Sequence, residues 1–169
     1  MKLILIGFMG AGKSAIAMHL GSLLKLPVVE MDALVLKKTN SKDMQEVFAK
    51  GGELLLRETE IAIAREYADI EHSLIVSTGA GVVSNRIVLD YLKSRHGKIF
   101  FLNATFPTIA ARLSQDVSRP LFQNIEQARS LYNFRHPLYL EYADYRIDVD
   151  YFTLEQIAQN IVEIVKGTS

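Results

Sequence analysis

The amino-acid sequence predicts an α/β fold of three layers, in which a five-stranded parallel sheet lies between two layers of helices. Short apolar runs alternate along the chain with longer segments of helical periodicity, the pattern of β-α-β units with right-handed crossovers. Residues 7–14 read GFMGAGKS and lie between one such run and one such segment. They match G-x-x-x-x-G-K-[ST], the phosphate-binding P-loop. At 169 residues, the chain is expected to form one domain, residues 1–169.

Five short apolar runs are the candidate strands. They are Leu3–Ile6, Val28–Met31, Leu74–Val76, Ile99–Leu102 and Arg146–Val149. Ligands of such sheets bind outside the carboxyl ends of the strands, so the residues after each run are the candidate functional residues.

The first predicted helix, Ala15–Leu24, follows the P-loop. Roughly forty residues then separate the second and third strands, which is too long for one crossover helix. Ser41 is a candidate cap for a helix through Lys50, Gly51-Gly52 should break it, and Glu53–Asp69 should form a second helix. These helices predict a substrate-binding insertion at about residues 33–70.

Three more helices are predicted toward the carboxyl end. Phe106–Gln115 precedes a polar loop, and residues 112–122 are the expected lid. Asn124–Arg135 follows, and Pro137 should stop or kink it. Thr153-Leu154-Glu155-Gln156 is a capping box that should open a last helix over Leu154–Lys166.

The P-loop predicts an ATP site with bound Mg²⁺. Its glycines let the backbone approach a triphosphate, and its N–H groups and the following helix dipole face the phosphate oxygens. Lys13 adds a charge toward the β- and γ-phosphates, and the Ser14 hydroxyl is placed to ligate Mg²⁺. The expected ATP-binding residues of the motif are Gly10, Ala11, Gly12, Lys13, Ser14 and Ala15.

Missing motifs narrow the class of P-loop protein. The third strand ends in Ser77-Thr78 instead of the Asp-Glu of many ATPases, and the fourth is followed by Asn103-Ala104-Thr105 without a guanine-binding motif. The acidic groups are Glu30 and Asp32 instead, and their spacing puts both carboxylates on one face of a strand. One could bind magnesium or its water, and the other could accept a proton from an attacking hydroxyl.

Three arginines and a glycine-rich turn complete the predicted site. Arg57 and Arg135 lie in or at the ends of helices, where they could form bidentate pairs with a substrate carboxylate. Arg119 lies in the polar loop and could close over the transferred phosphoryl group. Gly79 and Gly81 would let a substrate lie against the backbone.

Taken together, these motifs resemble the shikimate kinases over nearly the whole chain. The matching segments are Gly7–Ser14, the acid pair ending in Asp32, Phe48 through Gly52-Glu53 to Arg57 and Glu60, Gly79–Gly81, Arg119-Pro120-Leu121, and Arg135 with Tyr139 and Ala143. The resemblance implies transfer of the ATP γ-phosphate to the 3-hydroxyl of shikimate. It implies that Asp32 binds the reacting hydroxyls, that Arg57 and Arg135 hold the carboxylate, and that Gly79 and Phe48 lie near the ring.

The resemblance further implies that Arg119 contacts the phosphates and that Arg112 lies near the adenine. Two positions depart from the family pattern. Glu30 stands where the family usually has Asp, which affects a water-mediated magnesium contact. Ala80 stands in a stretch that usually has three glycines, which matters only if its φ is positive.

Composition limits the partners. The formal net charge is zero, which argues against nucleic acid or an anionic membrane as the main partner, and the absence of cysteine excludes thiolate chemistry. Small-molecule substrates, a monomer and a cytoplasmic location are expected. Two alternatives remain open: a related kinase for gluconate or a nucleoside monophosphate, and a nucleotide-binding module without turnover.

Overall fold

A parallel sheet of five strands forms the centre of the computed structural model, which describes residues 1–114 and 124–167. The strands are β1 (Lys2–Ile6), β2 (Val28–Glu30), β3 (Leu74–Ser77), β4 (Gly97–Asn103) and β5 (Tyr145–Asp148). They are ordered β2-β3-β1-β4-β5, and every neighbouring pair is parallel. The predicted fold class and the five predicted strands are confirmed.

The described residues also form seven α-helices and one short 3₁₀ turn at Val82–Ser84. The helices are α1 (Lys13–Leu24), α2 (Met31–Thr39), α3 (Met44–Ala68), α4 (Arg86–Lys93), α5 (Phe106–Leu113), α6 (Ile125–Tyr142) and α7 (Leu154–Gly167). No helix in these ranges is both long and apolar enough to cross a bilayer.

The core surrounds β1, the middle strand. Leu3, Ile4, Leu5 and Ile6 are all fully buried, because helices cover both faces of the sheet. Leu5 is in register with Ser77 of β3, and Ser77 is in register with Glu30 of β2. The carboxyl ends of these three strands therefore lie side by side, and the segments that follow them open onto one edge of the sheet.

The region between β2 and β3 differs from the sequence prediction. The strand ends at Glu30 and α2 begins directly at Met31, so the prediction that Glu30 and Asp32 share one face of a strand is wrong. Helix α2 was not predicted. Met31 and Val35 of α2 are buried, so tertiary packing supports a helix that the local sequence signals weakly.

Helix α3 combines the two predicted helices of the insertion. The N-cap of α3 is Asp43, whose side chain accepts a hydrogen bond from the Glu46 backbone N–H at 2.8 Å. The prediction that Ser41 is the cap is therefore wrong. The predicted break is found at Gly52, with φ 64° and ψ −158°. The assignment of this segment as a substrate-binding insertion stays a prediction.

One predicted helix end toward the carboxyl terminus differs from the structure. Helix α6 continues past Arg135 and Pro137 to Tyr142, so Pro137 does not stop it. Tyr139, two residues beyond the proline, is almost fully buried, and its packing supports the continued helix. The expected lid, apart from residues 112–114, lies outside the described residues.

The capping box of α7 is confirmed. The Gln156 backbone N–H donates to Thr153 Oγ1 at 3.2 Å, and the Thr153 backbone N–H donates to Gln156 Oε1 at 2.9 Å.

We expect Thr153→Ala to lower the free energy of unfolding by about 1 kcal/mol, because an N-terminal donor of α7 loses its partner. Urea denaturation measures the change. Ser22→Ala, at an exposed position of α1, is the control and should not destabilise the protein; equal loss in both variants would contradict the prediction.

Candidate active site

The P-loop joins β1 to α1 in a conformation that requires glycine. Gly10 and Gly12 have φ values of 78° and 95°, in the left-handed region, and Gly12 is the N-cap of α1. Lys13 is the first residue of the helix, and its Nζ donates to the backbone oxygens of Gly7 at 2.8 Å and Phe8 at 3.1 Å. A glycine loop opening a helix N-terminus is a site for anionic groups such as phosphates.

Ser14 and Glu30 meet beside this loop. The Ser14 hydroxyl donates to Glu30 Oε2 at 3.1 Å, while the buried Glu30 Oε1 has no hydrogen-bond partner within the part of the chain described. A hydroxyl and a carboxylate oxygen with spare capacity are ligands that fit Mg²⁺, directly or through water. Across residues 1–114 and 124–167, no group of three or more His, Asp or Glu side chains could hold a metal. Ser14 and Glu30 therefore fit an ion for which water and phosphate oxygens supply most of the ligands.

Asp32 lies apart from Glu30 and faces the turn after β3. It is in the first turn of α2, and its Oδ1 would lie only 2.7 Å from a Cβ built on Gly79. Glu60 Oε1, from α3, would lie 3.4 Å from the same position. A side chain at Gly79 would require the Asp32 carboxylate to move, and two carboxylates border this glycine.

Arg57 and Arg135 converge on the other glycine of this turn. A Cβ built on Gly81 would lie 2.5 Å from Arg57 Nη2 and 3.2 Å from Arg135 Nη2. The two arginines come from α3 and α6, which are far apart in the sequence. Two guanidinium groups beside one glycine bring several N–H donors to one place, and such donors suit an anion.

Glu60 holds Arg57 in place. Arg57 Nη1 donates to Glu60 Oε2 at 2.8 Å, and its Nη2 donates to Glu53 Oε1 at 3.1 Å. Glu60 is 2% exposed. Burial raises the pKa of Glu60 and Asp32 adds to the rise, whereas Arg57 and the Asn85 amide oppose it.

Arg135 has a guanidinium nitrogen without a hydrogen-bond partner in the described part of the chain, unlike Arg57. Burial lowers the pKa of Arg135, and the charge of Arg57 lowers it further. Its buried Nε has no hydrogen-bond partner among the residues described. A guanidinium in this position has donor capacity left for an anionic ligand.

A recess lies between the P-loop and α7, apart from the turn that follows β3. It has a volume of about 280 Å³, and its lining includes Gly10, Gly12, Arg112, Phe152 and Leu154. Arg112 Nη1 donates to the Gly10 backbone oxygen at 3.0 Å, which fixes the guanidinium at the edge of the loop. The lining combines apolar side chains with a cation, so an aromatic base could enter it.

Of the remaining residues singled out in the sequence, three can be located in the structure and one cannot. Phe48, 48% exposed, lies on α3 before the break at Gly52. Ala15 is exposed in the first turn of α1. Ala80 does not have a positive φ, so its methyl group causes no backbone strain. Arg119 lies outside the described residues.

No role is predicted for Glu60 from the sequence, although it lies three residues after Arg57 on the same helix. That spacing brings two side chains together on one helix face, and it was the available signal. No local sequence pattern indicated a contact for Asn85. Its Nδ2 donates to the Arg57 backbone oxygen at 3.4 Å, and the two residues are 28 positions apart in the chain.

The chain resembles known proteins over nearly its full length. The sequence profile of the family described as "Shikimate kinase" matches residues 9–166. A shikimate kinase of Pelotomaculum thermopropionicum is 31% identical over 168 residues, covering 98% of this chain and 95% of the relative. A shikimate kinase of Vibrio campbellii is 33% identical over 168 residues, with 98% and 96% covered.

Solved structures agree with the sequence relatives. The shikimate kinase from Acinetobacter baumannii in complex with shikimate superposes with a TM-score of 0.88 at 27% identity, covering 99% of this chain and 94% of that one. The enzyme from Aquifex aeolicus gives a TM-score of 0.84 at 27% identity, with 99% and 98% covered.

The burial of Glu60 predicts how stability depends on pH. Because its folded-state pKa is raised, the carboxyl favours the fold while protonated, and that contribution is lost as pH rises through the folded-state pKa. Glu60→Gln cannot ionise. The unfolding free energy of this variant minus that of wild type should therefore increase from about pH 4 to about pH 7.

Urea denaturation at a series of pH values measures this difference. Glu58→Gln, at an exposed position of the same helix, removes the same formal charge and is the matched control. A difference for Glu60→Gln that stays constant or falls with pH, or one that the control reproduces, would contradict the prediction.

Proposed function

The chain belongs to the shikimate kinase family, and from this we propose that it transfers the γ-phosphate of ATP to the 3-hydroxyl of shikimate, giving shikimate 3-phosphate and ADP. One observation of the structure supports this most strongly. Arg57 and Arg135 border Gly81, Asp32 borders Gly79, and this turn follows β3, the neighbour in the sheet of the strand that leads into the P-loop. The proposed sites for the carboxylate and for the hydroxyls would thus lie beside the P-loop, and this supports the proposal.

We propose that Arg57 and Arg135 bind the carboxylate of shikimate. Both guanidinium groups lie beside Gly81, and charge-assisted bidentate pairs are the strongest hydrogen bonds available to a carboxylate in water-poor surroundings. The unpartnered Nε of Arg135 supports this role. Glu60 keeps Arg57 oriented before the substrate arrives.

Asp32 would bind the reacting hydroxyls and accept the proton of the 3-hydroxyl as it attacks. Its carboxylate is exposed and lies against Gly79, so a hydroxylated ring can approach both. Gly79 and Gly81 would contact the ring through the backbone, and Phe48 would border it from α3. A base within hydrogen-bond reach of the attacking oxygen is the arrangement that general-base catalysis requires.

The P-loop would hold the triphosphate of ATP. Backbone N–H groups of Gly10 to Ala15 and the N-terminus of α1 face the phosphates, and Lys13 would carry charge to the β- and γ-phosphates. Arg112, at the edge of the recess beside Gly10, would lie near the adenine.

Ser14 and Glu30 would hold Mg²⁺, Ser14 directly and Glu30 through water. When bound, the ion neutralises charge that develops on the phosphate oxygens. Glu30 already accepts the Ser14 hydroxyl and has a second oxygen available, which supports this assignment.

Arg119 and the lid at about residues 112–122 complete the proposal. Arg119 would contact the transferred phosphoryl group after closure, which would also exclude water from the reaction. We further propose a single kinase domain over residues 1–169, with a substrate-binding insertion at about 33–70, that acts as a cytoplasmic monomer without nucleic-acid or membrane partners.

A coupled assay for ADP tests the activity. Purified protein with ATP and Mg²⁺ should release ADP only when shikimate is present. Lys13→Met should lower kcat by several orders of magnitude, because such electrostatic contacts contribute roughly 3–4 kcal/mol or more. Turnover with gluconate or AMP but not with shikimate would identify a related kinase, and ATP binding without any acceptor-dependent release would identify a binding module.

Arg57→Ala and Arg135→Ala should each weaken shikimate binding and leave ATP affinity nearly unchanged. Loss of one charge-assisted partner should cost roughly 1.5–3 kcal/mol, about a 10- to 100-fold rise in Kd. Titration calorimetry measures both affinities. Arg65→Ala is the matched control, because Arg65 is an exposed arginine of the same helix as Arg57. Unchanged shikimate affinity in both variants would show that the carboxylate is bound elsewhere.

A further inference from the structure

Tyr139 contacts the backbone of the turn that carries Gly79 and Gly81. It lies on α6, four residues after Arg135, and is 1% exposed. Its hydroxyl donates to the Ala80 backbone oxygen at 2.5 Å. Its ring stacks on Phe101 of β4, with 5.0 Å between centroids and 17° between planes. The ring is therefore fixed by the core, and the hydroxyl reaches out of it to the turn.

The hydroxyl supplies a donor for the middle carbonyl of this turn. The Gly79 oxygen accepts from the Val82 N–H at 3.1 Å, and the Gly81 oxygen accepts from the Ser84 N–H at 3.0 Å. The carbonyl of Ala80 lies between these two and accepts from Tyr139. The two local bonds hold the turn onto its own 3₁₀ segment, whereas the bond from Tyr139 joins this turn to α6.

We propose that Tyr139 is a positioning residue, whose hydroxyl holds the Ala80 carbonyl so that the 79–81 turn and Arg135 keep their relative position. Both groups lie at the carboxylate end of the substrate site, because Arg135 Nη2 is 3.2 Å from the Cβ position of Gly81. One helix thus supplies a substrate ligand and, one turn later, the contact that fixes the backbone against which the substrate lies. The inference rests on the proposed function of this site.

The chemistry of the side chain suits this role. Burial raises the pKa of Tyr139 well above its ordinary value, so the hydroxyl keeps its proton and remains a donor at neutral pH. A buried hydroxyl requires a partner, and here that partner is the carbonyl between the two glycines of the turn.

The chain offers a matched control on the same helix. The Tyr132 hydroxyl donates to the Ala104 backbone oxygen at 2.9 Å, just after β4, and its ring also packs in an aromatic cluster. Tyr132→Phe and Tyr139→Phe therefore remove the same chemical group and the same kind of bond. Only Ala80 is flanked by the glycines of the substrate site.

Steady-state kinetics and calorimetry test the inference. Tyr139→Phe should raise the KM and Kd for shikimate about fivefold, which is the loss of one net hydrogen bond, while the KM for ATP and kcat stay within about twofold of wild type. Amide hydrogen exchange at Val82 and Ser84 should become faster. Tyr132→Phe should leave the KM for shikimate and the exchange of these two amides unchanged.

Other results would overturn the inference. If both variants lower the midpoint of urea unfolding equally and neither changes the KM for shikimate, the Tyr139 hydroxyl contributes to stability alone. If both raise the KM for shikimate equally, the effect does not come from the 79–81 turn. Wild-type protein that ignores shikimate would contradict the proposed function itself, which separates that failure from a failure of the role of Tyr139.

Discussion

The turn after β3 brings four charged side chains together because it carries no Cβ at two of its positions. Asp32 and Glu60 approach Gly79, and Arg57 and Arg135 approach Gly81, at distances that an added methyl group would violate. The side chains come from three different helices and meet at this short piece of backbone. Without these two glycines, the helices would have to move apart or the charged groups would have to turn away.

The charges at the turn are arranged by sign. Two carboxylates lie at its beginning and two guanidinium groups at its end, and the Arg57–Glu60 pair at 2.8 Å joins the two halves. Glu60 is buried and already paired, while Asp32 is exposed and Arg135 retains an unused donor. A ligand with a carboxylate at one end and hydroxyl groups at the other complements this order, whereas a ligand with a single charge would leave part of it unmatched.

Much of this could be predicted from the sequence, and the failures have specific physical causes. The P-loop, the five strands and the capping box of α7 depend on local patterns, so they were found. Helix α2 depends on the burial of Met31 and Val35 against the rest of the protein, which no local pattern reveals. Asp32 was placed on the wrong element for that reason, and its role in the site stays a prediction. The partners of Asn85 and Tyr139 are distant in the chain, so their hydrogen bonds follow only from the three-dimensional fold.

Gly52 separates two parts of α3 that carry different kinds of residue. Before it lie the exposed side chain of Phe48 and the first turns of the helix; after it lie Arg57 and the buried Glu60. Space is open around Gly52, since nothing lies within 4 Å of its Cβ position, so only its backbone conformation restricts substitution there. Exposed positions of the first part can therefore change while the Arg57–Glu60 pair stays intact, whereas Val47 is fully buried and must stay apolar. Under the proposed function, changes at these exposed positions would alter the surroundings of Phe48 and leave the arginine pairing of the second part unchanged.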